Sequence, residues 1–158
     1  MLVEEIGCLL LARGWRMAVA ESATGGLIGH LITRVSGSSG YFWGGIIAYD
    51  NAVKMQLLGV REATLRRWGA VSAPVALEMA AGACRALDVE VAVSVTGIAG
   101  PTGATATKPV GLYYLGLATP TERYAWRHLF TGDRLANNEA AAHAALRHLA
   151  EYLGIRDS

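Results

Sequence analysis

The polar junction at residues 17–26 limits the fold of this chain more than any other stretch. Its first four residues, Met-Ala-Val-Ala, are apolar, and a polar turn of sequence Glu-Ser-Ala-Thr-Gly-Gly follows them directly. An amphipathic pattern then begins at Leu27. We therefore predict a strand, a tight turn and a helix here, and such a junction directs N–H groups and a positive helix end towards anions. Ser22 lies at the carboxyl end of the strand, where open α/β sheets bind their ligands.

Similar patterns along the rest of the chain predict an α/β fold. Apolar spacing indicates helices over residues 2–13, 24–33, 51–57, 61–68 and 134–153, and a further helix that begins at Ser72. Strand patterns cover residues 15–21, 41–50, 89–96, 110–118 and 123–130, and the paired glycines at 44–45 indicate a bulge or a close backbone approach. We predict one three-layer α/β/α domain over residues 1–158, with a mixed, mostly parallel sheet.

Composition excludes several classes of function. The formal net charge is +1 and no run of Lys or Arg occurs, so nothing favours a nucleic-acid or membrane partner. The N-terminus does not resemble a signal peptide and no apolar run is long enough to cross a bilayer, so we expect a cytoplasmic protein.

Cys8 and Cys84 have no metal-type spacing and are predicted to be reduced, buried thiols. Because 53% of the residues are hydrophobic, we expect a homo-oligomer, with a dimer favoured.

Three polar segments follow predicted strands, and together they suggest a site. They are Glu-Ser-Ala-Thr at 21–24, Tyr-Asp-Asn at 49–51 with Lys54 close behind, and Thr-Gly at 96–97. If the strands are parallel neighbours, their carboxyl ends meet at one edge of the sheet. No His, Cys, Asp or Glu spacing indicates a metal site, and no cofactor is expected.

Ser22 and Lys54 are the candidates for chemistry. Ser22 is either a helix cap or a nucleophile, and a serine nucleophile needs a base within hydrogen-bond reach. The four histidines have no supporting motif, whereas the chain contains only two lysines, Lys54 and Lys108. A lysine acts as a base when burial or nearby positive charge lowers its pKa. A solvent-exposed helix position is the alternative for Lys54.

The remaining candidates also have two interpretations each. Tyr49 belongs either to the core or, through its hydroxyl, to the site. Thr96 is either a cap or a ligand contact supported by Gly97 and Gly100. Lys108 either introduces a strand or meets an anionic group.

These motifs, in this order, resemble the CinA C-terminal domain family over essentially the whole chain. The resemblance rests on ESATGG at 21–26, GSS at 37–39, YDN with Lys54, LGV at 58–60, GAVS at 69–72, TGIAGP at 96–101, KPVG at 108–111 and FTGDR at 130–134. Characterised members are nicotinamide-nucleotide amidohydrolases. The resemblance implies an α/β/α fold and a metal-independent reaction. That reaction converts nicotinamide mononucleotide and water to nicotinate mononucleotide and ammonia.

Carried onto this chain, the resemblance implies roles for individual residues. Ser22 matches the nucleophile and Lys54 the base, while Tyr49, Ser39 and Thr96 match other site positions. We expect the substrate phosphate to bind either at Thr24, Gly25 and Gly26 or at the Gly97, Gly100 and Gly103 loop, with help from Lys108 and Arg134.

Two positions depart from the family pattern. Ala23 stands where many members have Cys, and Asn138 stands where a second Arg is common, with Arg134 or Lys108 as possible compensation. The substitution at Asn138 favours the first alternative function, a pyridine-nucleotide-binding module without turnover. A competence- or damage-linked accessory protein is the second alternative.

Overall fold

A computed structural model describes residues 1–156, which form six α-helices and one five-stranded sheet. The elements in chain order are α1 (Leu2–Arg13), β1 (Met17–Glu21), α2 (Leu27–Thr33), a 3₁₀ turn (Ser38–Gly40), β2 (Phe42–Ile47), α3 (Asn51–Leu58), α4 (Glu62–Trp68), α5 (Ala73–Leu87), β3 (Val91–Gly97), β4 (Leu112–Ala118), β5 (Arg123–Leu129) and α6 (Arg134–Tyr152).

The sheet has the order β2-β1-β3-β4-β5 and a mixed topology. Strands β2, β1 and β3 are parallel, whereas β4 pairs antiparallel with both β3 and β5. The carboxyl ends of β1, β2 and β3 therefore lie at one edge. The prediction of an α/β fold with a mixed sheet is confirmed.

Helices cover both faces of the sheet, and β1 shows why its sequence is continuously apolar. Met17 and Val19 pack into a core with α1, α2 and α6, while Ala18 and Ala20 pack into a second core with α3 and α5. A central parallel strand with both faces covered needs apolar residues at consecutive positions.

The paired glycines of β2 produce a bulge and a close contact, as predicted. The register against β1 shifts between Met17 and Ala18: Met17 pairs with Phe42, whereas Ala18 pairs with Gly44. A Cβ atom on Gly45 would lie 2.4 Å from Val19 Cγ2, so any side chain at this position would collide with the neighbouring strand.

Helix α2 begins later than predicted, at Leu27 instead of residue 24. The intervening residues form tight turns in which the Gly25 N–H donates to Ser22 O and the Leu27 N–H donates to Thr24 O. Gly25 and Gly26 have φ values of +59° and +104°, which a helix does not allow. By contrast, Asp50 and Ser72 cap α3 and α5 as their side-chain chemistry predicts.

The prediction of two buried thiols is wrong for Cys8, which is exposed on α1. Cys84 is buried on α5, and burial raises the pKa of its thiol to about 11. No helix within residues 1–156 has both the length and the apolar character needed to cross a bilayer.

Gly82 fixes the position of α3, the helix that carries Lys54. A Cβ atom on Gly82 would lie 1.9 Å from the backbone oxygen of Leu58, the last residue of α3. Gly82 lies on α5, so α3 and α5 touch backbone to backbone, and they approach each other more closely than any larger residue would permit.

Candidate active site

A cavity of about 280 Å³ opens at the carboxyl ends of β1 and β3, beside the segment that links β2 to α3. It is the place where the three polar segments of the sequence converge. The residues that line it are Ser22, Ala23, Tyr49, Asn51, Lys54, Ala70, Val71, Thr96, Gly97, Ile98, Ala99, Thr102, Gly103 and Arg134.

Lys54 and Ser22 contact each other inside this cavity. The Lys54 ammonium nitrogen, Nζ, lies 3.1 Å from Ser22 Oγ and 2.9 Å from the carbonyl oxygen of Tyr49. Only 1% of the Lys54 residue surface is exposed, so the interpretation as a solvent-exposed helix lysine is wrong. The cap on α3, in which Asp50 accepts from the Ala52 N–H at 2.8 Å, sets the helix start that directs Lys54 inward.

Burial changes the acid–base behaviour of this amine. Desolvation lowers the pKa of Lys54 below its ordinary value, and the nearby Asp50 carboxylate opposes that shift in part. A lysine with a lowered pKa holds a larger fraction of neutral amine near neutral pH. Such an amine can accept a proton from the hydroxyl that it contacts.

Ser22 does not cap α2, although it lies at the turn before that helix. The N-cap of α2 is Gly26, which provides no side-chain cap, and the Ser22 backbone N–H donates to Val95 O of β3. Ser22 as a residue is 8% exposed, and its hydroxyl contacts Lys54 instead of a helix end. The interpretation as a cap is therefore wrong.

Glu21 occupies the helix end that we expected to bind an anion. Its buried carboxylate accepts from Thr24 Oγ1 at 2.6 Å, from the Ile28 N–H at 2.9 Å and from the Gly29 N–H at 3.0 Å. The positive end of α2 is thus neutralised by a carboxylate of the protein itself. Thr24, Gly25 and Gly26 do not line the cavity, and their role in binding stays a prediction.

Thr96 and Gly97 form the floor of the cavity and are held by neighbours. Thr96 Oγ1 donates to Ala70 O at 2.9 Å, which ties β3 to the turn before α5. Gly97 lies against the ring of Tyr113, where a Cβ atom would approach Cδ2 to 2.1 Å. Burial raises the pKa of Tyr113 to about 12, and its hydroxyl donates to Asn138 Oδ1 at 2.7 Å. Asn138 therefore supports the floor from outside the cavity.

Arg134 and Tyr49 meet at the mouth. The Arg134 guanidinium donates to Gly100 O at 2.9 Å and to the Tyr49 hydroxyl at 3.2 Å. Tyr49 is 61% exposed, so its assignment to the core is wrong. Gly100 contributes a carbonyl that holds Arg134 but does not line the cavity.

Two further predicted residues, Ser39 and Lys108, do not line the cavity. Ser39 is exposed in the 3₁₀ turn before β2, at the amino end of the parallel strands. The Lys108 ammonium donates to Trp68 O at the end of α4. The proposed binding roles of both residues stay predictions.

Sequence reasoning missed Asn137, which links the two loops beside the mouth. Its amide donates to Ala99 O at 3.1 Å and to Gly132 O at 3.0 Å, and its carbonyl accepts from the Gly132 N–H at 2.9 Å. The sequence signal that could have identified Asn137 was a polar residue at a core-facing position of α6.

No group of three or more His, Cys, Asp or Glu suited to a metal occurs in residues 1–156.

We expect Glu21→Ala to lower the free energy of unfolding by about 3 kcal/mol, because three donors lose their buried acceptor. Urea denaturation of the purified variant measures this change. Glu139→Ala is the matched control, since Glu139 is exposed on α6, and its effect should stay within about 0.5 kcal/mol. Equal effects of the two substitutions would contradict the role given to Glu21.

Comparison with known proteins gives consistent matches over this fold. The family model described as "CinA C-terminal domain" matches residues 1–153. A CinA-like protein of Salinibacter ruber is 52% identical over 150 residues, which cover 95% of this chain and 36% of that protein. A putative competence-damage inducible protein of Caldicellulosiruptor saccharolyticus is 51% identical over 138 residues, or 87% of this chain and 34% of that protein. The chain thus spans about a third of the length of these curated relatives.

Two solved structures have the same fold. The competence/damage inducible protein CihA from Agrobacterium tumefaciens is 36% identical, with a TM-score of 0.93 over 98% of this chain and 94% of that one. A CinA superfamily protein from Klebsiella pneumoniae is 30% identical, with a TM-score of 0.92 over 96% and 95% of the two chains.

Proposed function

We propose that this chain, which belongs to the CinA C-terminal domain family, hydrolyses the carboxamide of nicotinamide mononucleotide. The products are nicotinate mononucleotide and ammonia, which returns pyridine nucleotide to NAD synthesis. The observation that carries the proposal is the 3.1 Å contact between Lys54 Nζ and Ser22 Oγ inside a cavity. The choice of substrate comes from the resemblance to characterised members of the family.

In the proposed reaction Ser22 is the nucleophile and Lys54 is the general base and acid. Ser22 Oγ forms a bond to the carboxamide carbon while its proton passes to neutral Lys54. The carbon–nitrogen bond then breaks, and Lys54 returns the proton to the leaving ammonia. A water molecule attacks the resulting ester by the same proton route and releases the carboxylate and Ser22. The Tyr49 carbonyl, 2.9 Å from Nζ, orients the amine during these transfers.

The oxyanion of each tetrahedral intermediate needs a donor, and we propose the N–H of Ala23. Ala23 lines the cavity directly after the nucleophile, and its N–H has no hydrogen-bond partner within the described part of the chain. A donor of this kind contributes about 3 kcal/mol to transition-state stabilisation.

Positive charge at the mouth suits the phosphate end of the substrate. We propose that Arg134, with the loop that contains Gly97, Gly100 and Gly103, binds the phosphate, because Glu21 already occupies the positive end of α2. The pyridinium ring of the substrate, placed beside Lys54, would lower the pKa of the amine further through like-charge repulsion.

We expect ammonia release from nicotinamide mononucleotide in a buffer that contains a chelator, and its loss in two variants. Ser22→Ala removes the nucleophile and Lys54→Met removes the base, so each should reduce kcat by at least about a thousandfold. Ser36→Ala, at an exposed loop position, is the matched control and should retain the wild-type rate. Full activity of Ser22→Ala would exclude the assigned nucleophile, and full activity of Lys54→Met would exclude the base.

The pH dependence of kcat/KM should show a single rising limb that Lys54 controls. Only the neutral amine acts as a base, so kcat/KM should increase by about tenfold per pH unit below the pKa of Lys54 and then level off. Burial lowers the pKa of Lys54 below the ordinary value of 10.5, so kcat/KM should reach its plateau below pH 10.5. Initial rates between pH 6 and 10 measure the limb, and a rate that falls as the pH rises would contradict a lysine base.

Asn138 supports one alternative, a pyridine-nucleotide-binding module without turnover. Many family members have an Arg at this position, whereas Asn138 here bonds to Tyr113 and leaves Arg134 as the guanidinium at the mouth. Calorimetry with nicotinamide mononucleotide distinguishes the two functions, since binding without ammonia release would favour the module.

We also propose that the protein forms a homodimer in the cytoplasm and has neither nucleic acid nor membrane as a partner. Strand β2 is an edge of the sheet, and Trp43 and Ile47 on it are 50% and 56% exposed. Light scattering after size-exclusion chromatography measures the mass in solution. A mass of one chain at micromolar concentration would contradict the dimer.

A further inference from the structure

Lys108 belongs to the segment that joins β3 to β4 and forms one wall of the cavity. The base of this segment is closed by two backbone bonds, from the Ile98 N–H to Leu112 O at 2.9 Å and from the Gly111 N–H to Ile98 O at 2.8 Å. Thr102 and Gly103 contribute to the cavity lining, although residues 101–107 are all exposed. An exposed wall needs a link to the rest of the protein if it is to keep its position.

A small turn presents Lys108 for such a link. The Thr105 N–H donates to Lys108 O at 2.9 Å, and the Lys108 N–H donates to Thr105 Oγ1 at 3.1 Å. The Lys108 ammonium then donates to Trp68 O, the carbonyl at the end of α4. The carboxyl end of a helix carries partial negative charge, so it attracts an ammonium group.

Gly69 leaves space for this contact. A Cβ atom at Gly69 would lie 2.9 Å from Lys108 Nζ, so the ammonium occupies the volume that a side chain would fill. Ala70 and Val71 follow Gly69 and form another wall of the cavity. The link from Lys108 therefore joins the Thr102–Gly103 wall to the wall formed by Ala70 and Val71.

We propose that Lys108 is a positioning residue that holds residues 101–107 against the turn between α4 and α5 and so fixes the width of the cavity. In this role it does not contact the anionic group of the substrate. The inference rests on the proposed function only for its kinetic test.

Hydrogen exchange of the free protein, with no nucleotide present, tests the link directly. In Lys108→Met the backbone amides of residues 105 and 108, which are hydrogen-bonded within the turn, should exchange at least about fivefold faster than in the wild type, because the link that holds this turn is lost. Lys108→Arg, which keeps a cationic donor, should restore most of the protection. Arg127→Met, an exposed position on β5, is the control for loss of a positive charge and should exchange as the wild type does.

Steady-state kinetics with nicotinamide mononucleotide gives the second readout. Lys108→Met should raise KM by about fivefold and leave kcat within about twofold. The substitution loosens a wall of the cavity, whereas the contact between Ser22 and Lys54 is unchanged. Unchanged exchange together with weaker binding of the nucleotide would identify Lys108 as an anion contact and overturn the proposal. Faster exchange in a protein with no turnover would refute the proposed function and leave the positioning role intact.

Discussion

The buried carboxylate of Glu21 is the interaction on which the geometry of the site depends. It closes the first turn of α2 from the end of β1, so the residues between them must follow the tight path that the two glycines allow. Ser22 leaves the strand on that path with its hydroxyl unused by the helix. The same carboxylate cancels the positive end of α2, so this junction attracts an anion less than a typical strand–helix turn does.

Lys54 presents a second problem, because it is a basic side chain removed from solvent. Its burial is possible because two acceptors meet the amine and because α3 is held close to α5 at Gly82. That contact lies at the carboxyl end of α3, one turn beyond Lys54 on the same face of the helix. An amine that is costly to charge is suited to repeated acceptance and release of a proton.

Local chemistry made much of the fold predictable. The apolar strands, the caps at Asp50 and Ser72 and the bulge at the paired glycines follow from residues that are neighbours in sequence. Helix α2 begins later than its apolar spacing predicts because Gly25 and Gly26 take positive φ values and Glu21 accepts from N–H groups seven and eight residues ahead. The burial of Lys54 and the contact between Lys108 and Trp68 depend on helices that are distant in the chain, which periodicity does not report. The exposure of Cys8 likewise depends on which side of α1 packs against α6 and the core.

Tyr49 has two functions at opposite ends of one residue. Its backbone carbonyl accepts from the amine that contacts Ser22, and its hydroxyl accepts from the guanidinium at the mouth. An anion that draws Arg134 away from Tyr49 therefore acts on a residue that also orients Lys54. The contact at the mouth and the contact with the amine therefore share one residue. Under the proposed function, an analogue that carries the amide but no anion would leave Arg134 on Tyr49, whereas the full nucleotide would compete for that guanidinium.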